Sequence, residues 1–328
     1  MDDTKTDYTI IVPVYNEEDS ILTLYGKLKK VLIDHGSHEI IFVDDGSTDQ
    51  TFQNILECAE RDKRVKIIKF RRNFGQSAAL KSGFDYAAGE TVITIDADLQ
   101  NNPEDIPKLL KKFEEGYDVV CGWRKHRKDP FFRKKVPSKI FNWFCRRVSG
   151  QHLHDFGSTL RVYRREVVRS IRMYGDLHRY VLVLVAWKGY KILEVEVGHQ
   201  PRKYGTTKYG SSRLVRGFLD ILTVYFLEKY LSRPMHLFGT IGALSTALGT
   251  GIGLYLSFIR ILFGTSISDR PLLLLAILLI IFGVQSFSIG LIGEMLTKYQ
   301  YETNLKRPYD VEKQVNLNLP EEPHRREH

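Results

Sequence analysis

Cysteine is scarce in this chain. Cys58, Cys121 and Cys145 are the only three in 328 residues, and no two form a C-x-x-C pair. That argues against a redox dithiol, a zinc ribbon and a disulfide framework, and it fits a reducing, cytosolic setting. No G-x-G-x-x-G follows the first predicted strand and no G-x-x-x-x-G-K-[ST] occurs, so neither a dinucleotide fingerprint nor a P-loop is supported. Met1 to Asp7 are polar and acidic, and without an apolar run no cleavable secretory signal is expected. Charge itself is missing from two C-terminal stretches, Leu237 to Ile259 and Leu272 to Gly293.

Each of those stretches is long enough to cross a hydrocarbon core of ~30 Å at ~1.5 Å per residue. Only Gly264 to Pro271 join them, so residues 235–298 are expected to form an antiparallel transmembrane hairpin whose flanks share one side. Lys229 and Arg233 precede the hairpin and Lys298, Lys306 and Arg307 follow it, whereas the connector has only Arg270 beside Asp269. The positive-inside bias then places both flanks and both termini in the cytosol. Glycines of the first helix, among them Gly239, Gly242 and Gly249, suit close helix packing within the hairpin or between subunits, and so allow a homo-oligomer. The last stretch, 299–328, reads as a polar, mobile tail without an evident role.

Residues 1–210 alternate in type. Strands are predicted at Tyr8–Val14, Glu39–Val43, Val65–Phe70 and Thr91–Ile95, with helical patterns at Asp19–Leu32, Asp49–Glu60 and Gln76–Ala87 between them. The expected fold class is α/β with a mostly parallel sheet, in which ligands gather at the carboxyl ends of the strands. Four polar motifs stand at those ends: Pro13-Val14-Tyr15-Asn16-Glu17-Glu18, Asp44-Asp45-Gly46-Ser47-Thr48-Asp49, Arg71-Arg72-Asn73-Phe74-Gly75 and Asp96-Ala97-Asp98-Leu99-Gln100. Asp96 and Asp98 leave a buried strand at i and i+2, so both can point at one hard divalent cation, with the Gln100 amide oxygen as a third ligand. A bare D-x-D is more often a solvated turn, and Ser47, Thr48 or Asp49 could simply cap a helix. Four such strand ends in succession favour a site.

In this order and at these intervals, V-P-V-Y-N-E-E, V-D-D-G-S-T-D, R-N-F-G-Q and D-A-D-L-Q resemble the inverting family 2 glycosyltransferases of the GT-A fold. With the hairpin, the span from about Tyr8 to Tyr301 is similar to polyisoprenyl-phosphate glycosyltransferases. The resemblance implies that Pro13, Tyr15, Glu17, Asp44 and Asp45, with Asp96, surround a nucleotide sugar; a UDP-sugar is favoured, with a GDP-sugar as the alternative because such a base pocket takes either. It also implies that Asp96, Asp98 and Gln100 hold Mg²⁺ or Mn²⁺ against the diphosphate. His154-Asp155-Phe156-Gly157-Ser158-Thr159-Leu160-Arg161 resembles the segment that faces the acceptor, which makes Asp155 and Arg161 catalytic candidates together with Asp98, and Ser158 an acceptor-phosphate candidate. In the glucosyltransferase branch the proposed basic carboxylate falls nearest Thr159, so Asp155 as a base stays open. Arg202-Lys203-Tyr204-Gly205-Thr206-Thr207-Lys208-Tyr209 resembles the family's mobile loop, with Arg202 and Lys208 facing phosphate.

The formal charge of +9 suits an anionic partner. Arg124 to Arg147 holds ten Lys/Arg and one acidic residue, Asp129, with Val136, Ile140, Phe144 and Val148 recurring every four residues and Phe132, Phe141 and Trp143 among them. A charge run is usually a solvated face; here residues 124–149 read as a basic amphipathic element at a lipid surface, with Arg124, Arg127 and Arg133 gripping a lipid phosphate. Residues 211–234 read as a second interfacial helix. Nucleic acid is a weaker partner, since no recognised binding module accompanies the patch. Two other functions compete with polyisoprenyl-phosphate sugar transfer. A processive polysaccharide synthase usually carries Q-x-x-R-W, which is missing, and an inactive nucleotide-sugar-binding anchor has no need of intact Asp96, Asp98 and Gln100.

Overall fold

A computed structural model of the chain describes residues 6–33, 35–125, 136–171, 173, 177–200, 234–264, 271–302 and 309–317. The chain divides into two units, Met1–Gly217 with Arg307–His328, and Phe218–Lys306.

The first unit is built on an eight-stranded mixed sheet. Its strands are β1 (Tyr8–Val14), β2 (His38–Asp44), β3 (Val65–Phe70), β4 (Thr91–Thr94), β5 (Val119–Trp123), β6 (Arg161–Arg164), β7 (Ile192–Glu196) and β8 (Val311–Val315), in the order β7-β5-β6-β4-β1-β2-β3-β8. β4, β1, β2 and β3 run parallel, so their carboxyl ends share one edge. This bears out the predicted fold class. The central strands are apolar on both faces: Ile10, Ile11, Val12, Ile41, Phe42, Val43, Ile67, Ile68, Val92 and Ile93 have no exposed surface. Such runs form when helices cover both sides of a parallel sheet. Helix α1 (Ile21–Leu32) buries Ile21, Leu24, Leu28 and Leu32, the one-face spacing of a 3.6-residue period. Each fully buried aliphatic side chain contributes about 1.5–3 kcal/mol.

Helices α2 (Thr51–Arg61), α3 (Gln76–Tyr86) and α4 (Ile106–Phe113) complete the connections. The basic segment is helical over α5 (Val136–Ser149), followed by α6 (Arg165–Ser170) and α7 (Val181–Trp187). α5 is docked on the domain: Cys145 is buried, Phe141 meets Tyr180 with ring centroids 5.5 Å apart, and Trp187 Nε1 donates to the Val148 carbonyl at 3.1 Å. Trp143 projects outward, 61% exposed. Part of the apolar stripe expected at lipid therefore packs on the domain itself.

The expected polar tail is corrected. Residues 311–315 form β8, antiparallel to β3, and so complete the sheet after the apolar helices. Polar composition concealed it because an edge strand shows one face to solvent.

The second unit contains α8 (Pro234–Phe263) and α9 (Pro271–Glu302). Both are long and apolar enough to cross a membrane, and most of their surface is unburied. Leu244, Leu248, Leu254, Phe258, Leu274 and Leu278 are all more than half exposed, which is stable in hydrocarbon and costly in water. The helices pack on each other through glycine: a Cβ on Gly242 would lie 2.6 Å from the Gly283 carbonyl, and one on Gly249 would lie 2.7 Å from the Ala276 carbonyl. The predicted interfacial helix at 211–234 falls outside the described residues up to Arg233.

Candidate active site

The turn after β1 and the turn after β2 are stitched together. Asn16 takes a left-handed conformation (φ 54°), which an asparagine tolerates. Its N–H donates to Ser47 Oγ at 3.0 Å and its Oδ1 accepts from Thr48 N–H at 2.9 Å, while Glu17 N–H donates to Thr51 Oγ1 at 2.8 Å. Gly46 is required between them. Its φ is +73°, and a Cβ there would lie 2.6 Å from the Arg72 backbone. Pro13, Tyr15 and Glu17 are half-buried along this edge.

Asp44 ends β2 and Asp45 follows it, and both are buried. Asp44 Oδ1 accepts from Ser47 N–H at 2.9 Å, and burial pushes its pKa up. Asp45 accepts from Phe74 N–H at 2.7 Å and from Gly75 N–H at 2.9 Å. Burial still outweighs these bonds and pushes the Asp45 pKa up to about 6. Asp45 thus fastens the R-N-F-G turn to β2.

Asp96 leaves β4 one residue past its neighbour Ile95. Its Oδ1 accepts from Gln76 Nε2, the first residue of α3, at 2.9 Å, and its Oδ2 accepts from Thr159 Oγ1 at 2.8 Å. Asn101 Nδ2 donates to the same Thr159 hydroxyl at 3.0 Å, which leaves the hydroxyl proton for Asp96. Burial and the neighbouring Asp98 carboxylate both push the Asp96 pKa up, despite nearby Arg124 and Arg161. Asp98 Oδ1 accepts from Gln100 N–H at 3.1 Å. Between them Leu99 is left-handed (φ 58°) and 7% exposed, a strained conformation for a buried leucine and one that clusters at functional turns. Asp96 and Asp98 are neighbouring carboxylates, hard oxygen donors whose mutual repulsion a divalent cation would relieve. They fit a divalent cation by chemistry.

Segment 154–161, expected to face the acceptor, is tied into the domain. Asp155 is 3% exposed and is gripped by Arg124, Nε to Oδ2 at 2.7 Å and Nη2 to Oδ1 at 3.0 Å, while Gly157 N–H donates to Oδ1 at 3.1 Å. Arg124 is therefore committed to a buried ion pair instead of standing open for lipid phosphate. Glu194 holds the same turn, accepting from Asp155 N–H at 2.6 Å and from His154 Nδ1 at 2.9 Å. Arg161 is 3% exposed; its Nη2 donates to the Phe156 carbonyl at 2.8 Å and its Nη1 to Tyr163 Oη at 3.3 Å. It braces the turn from inside the domain. Ser158 has no exposed surface, so its hydroxyl does not face an incoming phosphate. Arg127, Arg133, Arg202 and Lys208 lie outside the described residues.

The structure therefore gathers Asp96, Asp98, Gln100 and Arg124 with Asp155 at one electrostatically connected edge. Three contributors were not singled out from sequence: Gln76, Thr159 as a partner of Asp96, and Asn101. Gln76 closes the R-N-F-G-Q motif, a signal present in the sequence. Asn101 carried none.

A parallel sheet with acidic groups at successive strand ends, flanked by an antiparallel β6 and a D-x-D turn, defines a GT-A glycosyltransferase domain. The chain belongs to glycosyl transferase family 2, whose family model matches residues 9–172. It is 37% identical over 308 residues to the dodecaprenyl-phosphate galacturonate synthase of Rhizobium johnstonii, covering 92% of this chain and 91% of that one. It is 34% identical over 315 residues to the undecaprenyl-phosphate 4-deoxy-4-formamido-L-arabinose transferase of Proteus mirabilis, covering 95% of each. Among solved structures it is similar in fold to the glucosyl-3-phosphoglycerate synthase of Mycobacterium tuberculosis in complex with Mn²⁺, UDP-glucose and phosphoglyceric acid. That likeness has a TM-score of 0.55 at 18% identity, over 67% of this chain and 80% of that one.

Proposed function

We propose that this glycosyltransferase moves one sugar from a nucleotide sugar, UDP-linked in preference to GDP-linked, onto the phosphate of a polyisoprenyl lipid at the cytosolic face of a bacterial inner membrane. The observation that carries this reading is the Asp96–Asp98 turn beside the parallel strand ends, in a chain that matches polyprenyl-phosphate sugar transferases along nearly its whole length. The apolar hairpin supplies a reason for a lipid acceptor.

Pro13, Tyr15, Glu17, Asp44 and Asp45 would surround the nucleoside, and Asp96, Asp98 and Gln100 would hold Mg²⁺ or Mn²⁺. When bound, such a cation neutralises charge that builds on the departing diphosphate. A lipid monophosphate has a second pKa near ~6, so at neutral pH its oxygen is already a dianionic nucleophile. That oxygen attacks the anomeric carbon, the bond from that carbon to the diphosphate oxygen breaks, and the electron pair leaves with the nucleoside diphosphate. No proton has to be removed. This chemistry suits an Asp155 whose two oxygens are occupied by Arg124 and Gly157: the pair shapes the turn, and positioning with charge stabilisation carries the rate.

The test is transfer from radiolabelled UDP- and GDP-sugars to undecaprenyl phosphate by the purified full chain in detergent, with Mg²⁺ or Mn²⁺ and with chelator. Metal-dependent labelling of the lipid from one donor is the expected result. Tight nucleotide binding with no transfer from any donor would favour the inactive anchor.

A further inference from the structure

We infer that residues 309–310, immediately before β8, are a positioning element of the donor site, acting through Tyr309; this rests on the donor reading above. The turn 71–75 has no regular secondary structure, yet it holds Asp45, and Gln76 directly after it reaches Asp96. Phe74 and Gly75 donate their N–H groups to Asp45 at 2.7 and 2.9 Å, and Gln76 donates to Asp96 at 2.9 Å. Asp45 holds this turn from within the domain.

Residues 309–310 hold it from the other side. The Tyr309 ring is 7% exposed and stacks on Phe70, the last residue of β3, with centroids 5.2 Å apart and planes 15° apart. Phe70 in turn meets Phe74 edge to face at 5.7 Å. Tyr309 Oη donates to Asp85 Oδ2 on α3 at 2.9 Å, Arg71 N–H donates to the Asp310 carbonyl at 3.2 Å, and Arg71 Nε pairs with the Asp310 carboxylate at 3.1 Å. Both arms that leave the turn, β3 and α3, are thus tied to one short segment 233 residues away from Gln76 in sequence. A ring chain Tyr309–Phe70–Phe74 ends at the N–H that Asp45 receives. Aromatic pairs of this geometry add to plain burial and fix orientation. β8 and the residue after it are anchored elsewhere: Gln314 Nε2 donates to Tyr86 Oη at 2.7 Å, and Asn316 Nδ2 to the carbonyls of Ala59 and Val65 at 3.0 and 2.9 Å. Those contacts stabilise the strand without touching the turn, so they provide a control.

The experiment is calorimetric titration of the full chain in detergent with UDP and with GDP in the presence of Mn²⁺, alongside donor and acceptor KM values and thermal midpoints. Tyr309→Leu is expected to weaken nucleotide binding and raise donor KM by about five- to thirtyfold, with acceptor KM within twofold. Tyr309→Phe, which keeps the stack, should recover most of that loss. Asn316→Ala should lower the thermal midpoint while leaving nucleotide affinity within twofold. Nucleotide affinity of Tyr309→Leu within twofold of the unaltered protein, whatever its thermal midpoint, would overturn the inference alone. Failure of the unaltered protein to bind either nucleotide, or unchanged binding in Asp45→Ala, would overturn the donor reading and this inference with it. Should Tyr309→Leu not accumulate folded, Tyr309→Met, which keeps more of the apolar volume while removing the ring and its hydroxyl, carries the same expectation, and unchanged affinity there overturns the inference.

Discussion

Replacing Thr159 by valine removes one hydroxyl at almost constant volume, and the structure gives that hydroxyl two duties. It donates to Asp96 Oδ2 at 2.8 Å and accepts from Asn101 Nδ2 at 3.0 Å, and Asn101 is 3% exposed. A hydrogen bond to a charged acceptor contributes about 1.5–3 kcal/mol, and an unmet buried donor costs about 1–3 kcal/mol. Thr159 is half-buried, so water recovers part of the loss and the lower range applies, about 2–3 kcal/mol in stability. For a domain of this size that is a drop of roughly 5–10 °C in thermal midpoint. Asp96 also loses one of the two bonds that fix its orientation, the other coming from Gln76. If the carboxylate acts only when oriented, the same ~1.5–3 kcal/mol lowers kcat/KM by about ten- to hundredfold. Steady-state transfer with purified protein, paired with a melting curve, reads both effects, and Thr159→Ser should restore both. Thr159→Val with unchanged kcat/KM would refute the argument that this hydroxyl orients Asp96.

Asp98→Ala should abolish transfer while the protein still fractionates with the membrane; near-normal turnover measured by lipid labelling would sink the metal assignment. Breaking the buried Arg124–Asp155 pair on one side, as Arg124→Met, should destabilise the protein by about 3–5 kcal/mol, whereas the double replacement Arg124→Met with Asp155→Leu should recover most of that stability in denaturant titrations. Asp45 binds its proton more tightly in the folded chain, at about 6 against an ordinary 3.8, so its contribution to stability is present below about pH 4 and is lost as pH rises through about 6. That interval corresponds to about 3 kcal/mol. Relative to Asp45→Asn, the unaltered protein should lose stability between pH 4.5 and 6.5, and parallel stability curves for the two would contradict the shift.

The parallel half of the sheet was legible because its strands are short apolar runs closed by turn residues, and because α1 repeats buried positions at helical spacing. Observed bounds such as Tyr8–Val14 and Val65–Phe70 match the expected ones. The two long apolar helices were legible from the loss of charge alone. β8 was not, since Val311-Glu312-Lys313-Gln314-Val315 is mostly polar and follows a membrane segment; only tertiary pairing with β3 makes it a strand. At the site, the strand-end acids announced themselves by type and spacing. Their partners did not, because Asn101 and Thr159 act through a contact across 58 positions that no local pattern encodes. For Arg124 and Ser158, residue type suggested phosphate contacts, while the fold buries Ser158 and pairs Arg124 with Asp155.

The most direct test of the central claim is the mass of the lipid formed when the purified full chain is incubated with undecaprenyl phosphate, Mn²⁺ and each donor sugar in turn. A product carrying one sugar on one phosphate, formed from a single donor and absent in Asp98→Ala, is the predicted outcome. A ladder of longer glycans would instead indicate a processive synthase, and unmodified lipid with every donor would contradict transfer to a polyisoprenyl phosphate.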